Sequence, residues 1–141
     1  MRTGARPCAL DTNVIVRFVT QDHPSLSPKA DEIMRAISED RLAVVLDPVV
    51  LAEVVFVLTS FYKLSNESVS EALKSLVIAD NVLMDAKAKY LLALDIFGTA
   101  NVHFGDACAC AAAVQDCGGR LISFDRILSR VPGISRLEEP L

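Results

Sequence analysis

Five short apolar runs separated by stretches of helical period constrain this chain more than any other feature: Cys8-Ala9-Leu10, Ala43 to Leu46, Val82-Leu83-Met84, Arg120 to Phe124, and a last one around Ile134 to Leu137. Strands that alternate with helices pair in parallel through right-handed crossovers, and the helices cover both faces of the sheet. The expected fold is therefore α/β, an α/β/α sandwich around a central parallel sheet of four to five strands. At 141 residues, with no Gly/Ser-rich or Pro-rich tract, the chain reads as a single domain over 1–141.

The helical stretches carry their own punctuation. Val14 to Val19 reads as a short helix leaving the first strand, and Gln21 to Leu26 as a loop. Ser27-Pro28 supplies a capping hydroxyl and a proline at the first helical position, with Ala30, Ile33, Met34 and Ile37 recurring down one face. Asp47-Pro48 repeats that signature and opens a helix to Tyr62 that is apolar nearly all round. Such a helix is buried, enclosed by the sheet on one side and by more protein on the other, which suggests a dimer or partner surface. Ser65 starts a helix striped by Val69, Leu73, Leu76 and Val77; Asp85 caps another from Ala86 to Phe97, ended by Gly98. The small side chains of Ala107 to Ala113 let a helix lie close to the sheet before Gly118-Gly119 ends it.

A composition of 52% hydrophobic and 23% charged residues excludes a disordered chain. The N-terminus carries Arg2 and Arg6, but the apolar run after Pro7 stops at Asp11, too short for a signal-peptide core. The most apolar stretch, Val49 to Leu58, is interrupted by Glu53 and falls short of a membrane span. A cytoplasmic protein with no membrane contact is expected. The net charge of −4 argues against a broad basic platform for nucleic acid. It leaves open a bound cation that neutralises clustered carboxylates and meets a phosphate directly. Cys8, Cys108, Cys110 and Cys117 lack paired C-x-x-C spacing and read as buried reduced thiols.

Four carboxylates sit at junctions of this pattern: Asp11, Glu53, Asp106 and Asp125. Asp11 and Asp125 each follow a strand, so both lie at the carboxyl edge of the sheet, where open α/β folds bind ligands. Glu53 lies five residues after Pro48, roughly 7 to 8 Å along the helix axis. Asp106 opens a helix that precedes a strand and so also begins at that edge. Layering alone brings the four together. Singly, Asp106 reads equally as a charge on a helix dipole and Asp125 as a turn or cap residue. Glu53 is harder to dismiss, because a carboxylate between Val49-Val50-Leu51-Ala52 and Val54 to Leu58 is costly to bury without a cationic partner. Oxygen ligands select Mg²⁺ or Mn²⁺ over zinc. Thr12, Asn13 and Ser123 fit residues that orient the carboxylates or hold an attacking water. Arg17 and Arg126 read as phosphate contacts or as parts of a solvated face, and His23 and His103 as non-ligands. A phosphoaspartate enzyme is a poorer reading, since it wants a second acid where this chain has Asn13.

These residues resemble the PIN domain, and in particular the VapC-type toxin ribonucleases of bacterial toxin-antitoxin pairs. Leu10-Asp11-Thr12-Asn13-Val14, Leu51-Ala52-Glu53-Val54, Phe104-Gly105-Asp106-Ala107 and Ser123-Phe124-Asp125-Arg126 match the family motifs in order, over nearly the whole chain. The resemblance implies a Mg²⁺- or Mn²⁺-dependent endoribonuclease, usually a homodimer, inhibited by a small cognate antitoxin. Asp11, Asp106 and Asp125 would be direct ligands of one or two metal ions; Glu53 would ligate the metal or hold its water as a base. The alternative is a catalytically silent PIN-like module that binds RNA or a protein partner.

Overall fold

A computed structural model describes residues 6–141; Arg2, in the N-terminal reading above, lies outside the described residues. Strand β1 (Cys8–Ala9) pairs in parallel with β2 (Val44–Val45), and β2 with β3 (Val82–Leu83), in the registers Cys8↔Val44 and Val44↔Val82. Helix α1 (Thr12–Thr20) follows β1, and α2 (Leu26–Ser38) leads into β2. Helix α3 (Pro48–Phe56) continues as a π-helical turn (Val57–Phe61), and α4 (Asn66–Val77) precedes β3. Helices α5 (Lys87–Ala100) and α6 (Phe104–Asp116) come next, then β4 (Arg120–Ile122), a 3-10 turn (Arg126–Arg130) and β5 (Ser135–Leu137). No helix among the described residues is long and apolar enough to cross a membrane.

The α/β class holds, but the strand count does not. The main sheet has three strands, ordered β1-β2-β3, and β4 pairs with β5 in a separate two-stranded parallel sheet. The backbone of β4 is spoken for by its neighbour: Ser135 N–H donates to Gly119 O at 2.8 Å, and Ser123 N–H to Leu137 O at 3.0 Å. Gly119 makes this pairing possible, since with φ +86° a Cβ there would lie 2.1 Å from the Gly133 carbonyl oxygen.

The core is built where β2 and β3 meet the helices, on Val44, Leu46, Leu51, Leu58, Leu73 and Leu94, each at most 1% exposed. Burial of such side chains contributes roughly 1.5–3 kcal/mol apiece. Asp47 and Ser65 cap as their sequences suggest, accepting from Val49 N–H at 2.7 Å and Ser68 N–H at 3.1 Å. Ser27 does not cap α2; it is buried and donates to Arg17 O at 2.8 Å, tying α2 to α1. Asp85 is not the cap of α5, where Ala86 holds that position in the left-handed region at φ 55°. Gly98 lies inside α5 and does not end it: it lets α4 approach closely, since a Cβ there would meet Ser70 Cβ at 2.7 Å, and the helix ends at left-handed Asn101.

The helix from Pro48 is not buried all round. Val49, Phe56 and Phe61 are 76%, 67% and 76% exposed, while Leu51, Val54, Val55 and Leu58 face the core. One side of an apolar helix has thus been left for a surface, and hydrophobicity alone cannot distinguish the two sides. Cys8 and Cys117 are exposed, contrary to a reading of all four thiols as buried; Cys8 lies on the outer strand of its sheet, and Cys117 follows the last turn of α6.

Candidate active site

Asp11, Asp106 and Asp125 each stand where the chain enters a helical turn. Asp11 is extended (φ −97°, ψ 157°) before α1, and its Oδ1 accepts from Thr12 N–H at 2.8 Å. Asp125 serves the 3-10 turn alike, accepting from Ile127 N–H at 3.0 Å, while its own N–H donates to Ser123 Oγ at 3.0 Å. Asp106 lies in the first turn of α6. Negative charge at these points complements the unpaired amides of a helix start, and a carboxylate retains further lone pairs for a ligand.

Glu53 is placed by a partner distant in sequence. Thr12 is buried, and its hydroxyl donates to Glu53 Oε1 while its backbone N–H binds Asp11. One residue therefore holds two of the acids. Glu53 itself is exposed, so the expectation of a buried carboxylate that needs a cation is corrected: Glu53 sits on the solvent side of α3, and a hydroxyl meets it.

Asp106 and Asp125 line an open groove of about 930 Å³ together with Ala52, Phe56, Gly105 and Ile127. Asp11 and Glu53 are not among its walls, although Ala52, adjacent to Glu53, is. The four acids thus fall into two pairs, Asp11 with Glu53 through Thr12 and Asp106 with Asp125 across the groove lining. As a donor set they offer oxygen alone, which suits a hard cation. Their side-chain positions do not close on one ion: among the described residues no three His, Cys, Asp or Glu side chains stand together as a metal-holding group.

The other named residues divide clearly. Ser123 orients the Asp125 backbone, Asn13 is exposed on the first turn of α1, and Arg126 is exposed beside Asp125. Arg17 is engaged away from the groove. Its Nη1 donates to both oxygens of Asp22, at 3.0 and 3.1 Å, and to Tyr62 Oη at 3.3 Å. The Tyr62 hydroxyl, followed by those of Thr20 and the Arg17 guanidinium, holds the Asp22 carboxyl far below the usual carboxylate range.

Several groove residues carry no motif and were missed in the sequence: Thr59, Ser60, Lys63, Asn66 and Asn101. His103, read as incidental, is a wall residue too. The only sequence signal for them is position, since Lys63 and Asn101 follow helix ends and His103 precedes a helix start. Asn66 braces this wall, its Nδ2 donating to Phe97 O at 3.2 Å and Val102 O at 3.3 Å. Cys108 also lines the groove, and burial pushes its thiol up to about 11.

A family model described as PIN domain matches residues 8–134 of this chain. No curated protein matches it.

Proposed function

The chain belongs to the PIN-domain family, whose members are typically nucleases, and from that premise we propose that it hydrolyses RNA phosphodiester bonds internally with Mg²⁺ or Mn²⁺. The observation that carries this reading is Thr12, which donates to both Asp11 and Glu53 within a family match that also contains Asp106 and Asp125.

Asp11, Asp106 and Asp125 would hold the cation, with oxygen donors alone. A bound divalent ion supplies an activated water and offsets charge on the phosphate. Glu53, exposed and hydrogen-bonded at one oxygen, is suited to take a proton from the attacking water or to add a ligand. Thr12 fixes the carboxylate that does this. Ser123 and the Asp125 cap hold the last acid on a short turn between β4 and β5.

The finer assignment is to the toxin of a type II pair of the VapBC kind, cytoplasmic and restrained by a small cognate antitoxin. Exposed Val49 and Phe61, which do not line the groove, suit a homodimer contact.

The test is a purified-protein assay on labelled single-stranded RNA with EDTA, Mg²⁺ or Mn²⁺. Metal-dependent internal cleavage that Asp106→Asn abolishes is the expected result. RNA binding without cutting in either metal would return the protein to a silent PIN-like module.

A further inference from the structure

The π turn after α3 ends in an unusual way. Tyr62 N–H donates to Val57 O at 3.2 Å, five residues back, and Leu64 N–H to Leu58 O at 3.0 Å, six residues back. Within this turn the Thr59 hydroxyl donates to Val55 O at 2.8 Å, a back-bond of the kind that often bends helices. Between the two closing bonds stands Lys63, at φ +59°. Glycine is the residue that ends helices in this conformation without a steric penalty.

The turn is anchored on its other side. Tyr62, adjacent to Lys63, donates its hydroxyl to Asp22 Oδ2 at 2.6 Å, and Asp22 is clamped by Arg17 and Thr20. The backbone at Lys63 is therefore fixed from the end of α1, and the lysine is a wall of the groove that Asp106 and Asp125 line. Arg17, whose sequence position suggested phosphate contact, is bound within the anchor instead.

A helix-terminal cation also complements the helix dipole, and α1 and α5 likewise end on left-handed Gln21 and Asn101, so what sets Lys63 apart is a cationic side chain in the groove wall. We propose that Lys63 is the groove's contact for an RNA backbone phosphate flanking the one that is cut. This rests on the nuclease reading above and names how that site grips its substrate. A lysine ammonium meets phosphate as a point charge, independent of base sequence.

The test is binding of a fluorescent single-stranded oligoribonucleotide of mixed sequence, in EDTA so that nothing is cut, across about 50 to 200 mM salt. Each phosphate neutralised on a single strand contributes about 0.7 to the slope of log affinity against log salt. Lys63→Gln and Lys63→Gly should each make the slope shallower by about 0.7, while Lys63→Arg and the off-groove control Lys29→Gln keep it. Lys63→Gly should in addition raise the melting temperature, because it relieves the left-handed backbone. A variant that is more stable yet grips RNA less separates a binding role from a capping one. If wild type binds RNA and both slopes match it, Lys63 is a cap and the proposal is overturned, with the nuclease reading untouched. If wild type neither binds nor cuts RNA, the nuclease reading falls and takes this proposal with it.

Discussion

The Thr12 hydroxyl donates to the carboxylate of Glu53, 41 positions further along the chain, from a site that is only 6% exposed. Because Thr12 is buried at the start of α1, it acts as a fixed post for an exposed acid on α3. Thr12→Val keeps the shape and removes that donor. It should weaken Mn²⁺ affinity or cleavage by about 10–100-fold, the usual effect of losing a partner that orients a ligand, while costing about 1 kcal/mol in stability. Thr12→Ser should restore most of the loss. Calorimetric Mn²⁺ titration and RNA cleavage unchanged in Thr12→Val would remove Thr12 from the site.

Asp11 and Asp125 combine capping with their proposed ligand role, and amide substitution separates the two. Asparagine caps about as well as aspartate, so Asp11→Asn and Asp125→Asn should melt close to wild type and yet fail to cut RNA. The alanine variants should lose about 0.5–2 kcal/mol besides. Full cleavage by either asparagine variant would leave that residue as a cap alone.

The exposed side of α3 sets a third expectation. Val49→Glu and Phe61→Glu should shift sedimentation toward the monomer, since both side chains are 76% exposed and lose no core contact within one protomer. Val57→Glu should instead unfold the chain, because Val57 packs against the core. Unchanged mass for both surface variants would rule out this stripe as the dimer contact.

Asp22 gives a pH dependence with a defined sign. Hydrogen bonds, first from Tyr62, lower its folded pKa below the ordinary 3.8. The unfolded chain therefore binds more protons in the acid range, and the stability that Asp22 contributes is present above about pH 5 and lost as pH falls through its folded value. Wild type should lose melting temperature more steeply than Asp22→Asn on acidification below about pH 4. Parallel curves for the two proteins would show that the anchor is not charge-dependent.

Thiol labelling checks the burial pattern. At pH 8, iodoacetamide should modify Cys8 and Cys117 first, as both are exposed. Burial raises the Cys110 thiol and takes that of Cys108 to about 11, so both remain largely protonated and slow. Rapid modification of all four by mass spectrometry would contradict the packing of α6.

The sequence by itself determined what depends on neighbours close along the chain. Asp47-Pro48 and Ser65 announced their helices because a cap acts over three residues, and apolar runs ending on Asp11 and Asp125 marked two acids at chain junctions. Only the tertiary structure decided the rest. Whether β4 joined the main sheet depended on which backbone was available to it, and β5 took that pairing after a connection of about a dozen residues. Hydrophobicity could not say which side of the helix from Pro48 faced solvent, because Val49 and Val54 read alike until packing buries one and leaves the other exposed. Glu53 looked like a stranded buried charge because its partner, Thr12, lies across the fold. Lys63 carried no motif, and its place in the groove follows from a π turn and an anchor to Asp22 that bring distant segments together. Periodicity and caps are local and write themselves into sequence, whereas hydrogen-bond partners and groove walls are set by which surfaces meet when the chain closes.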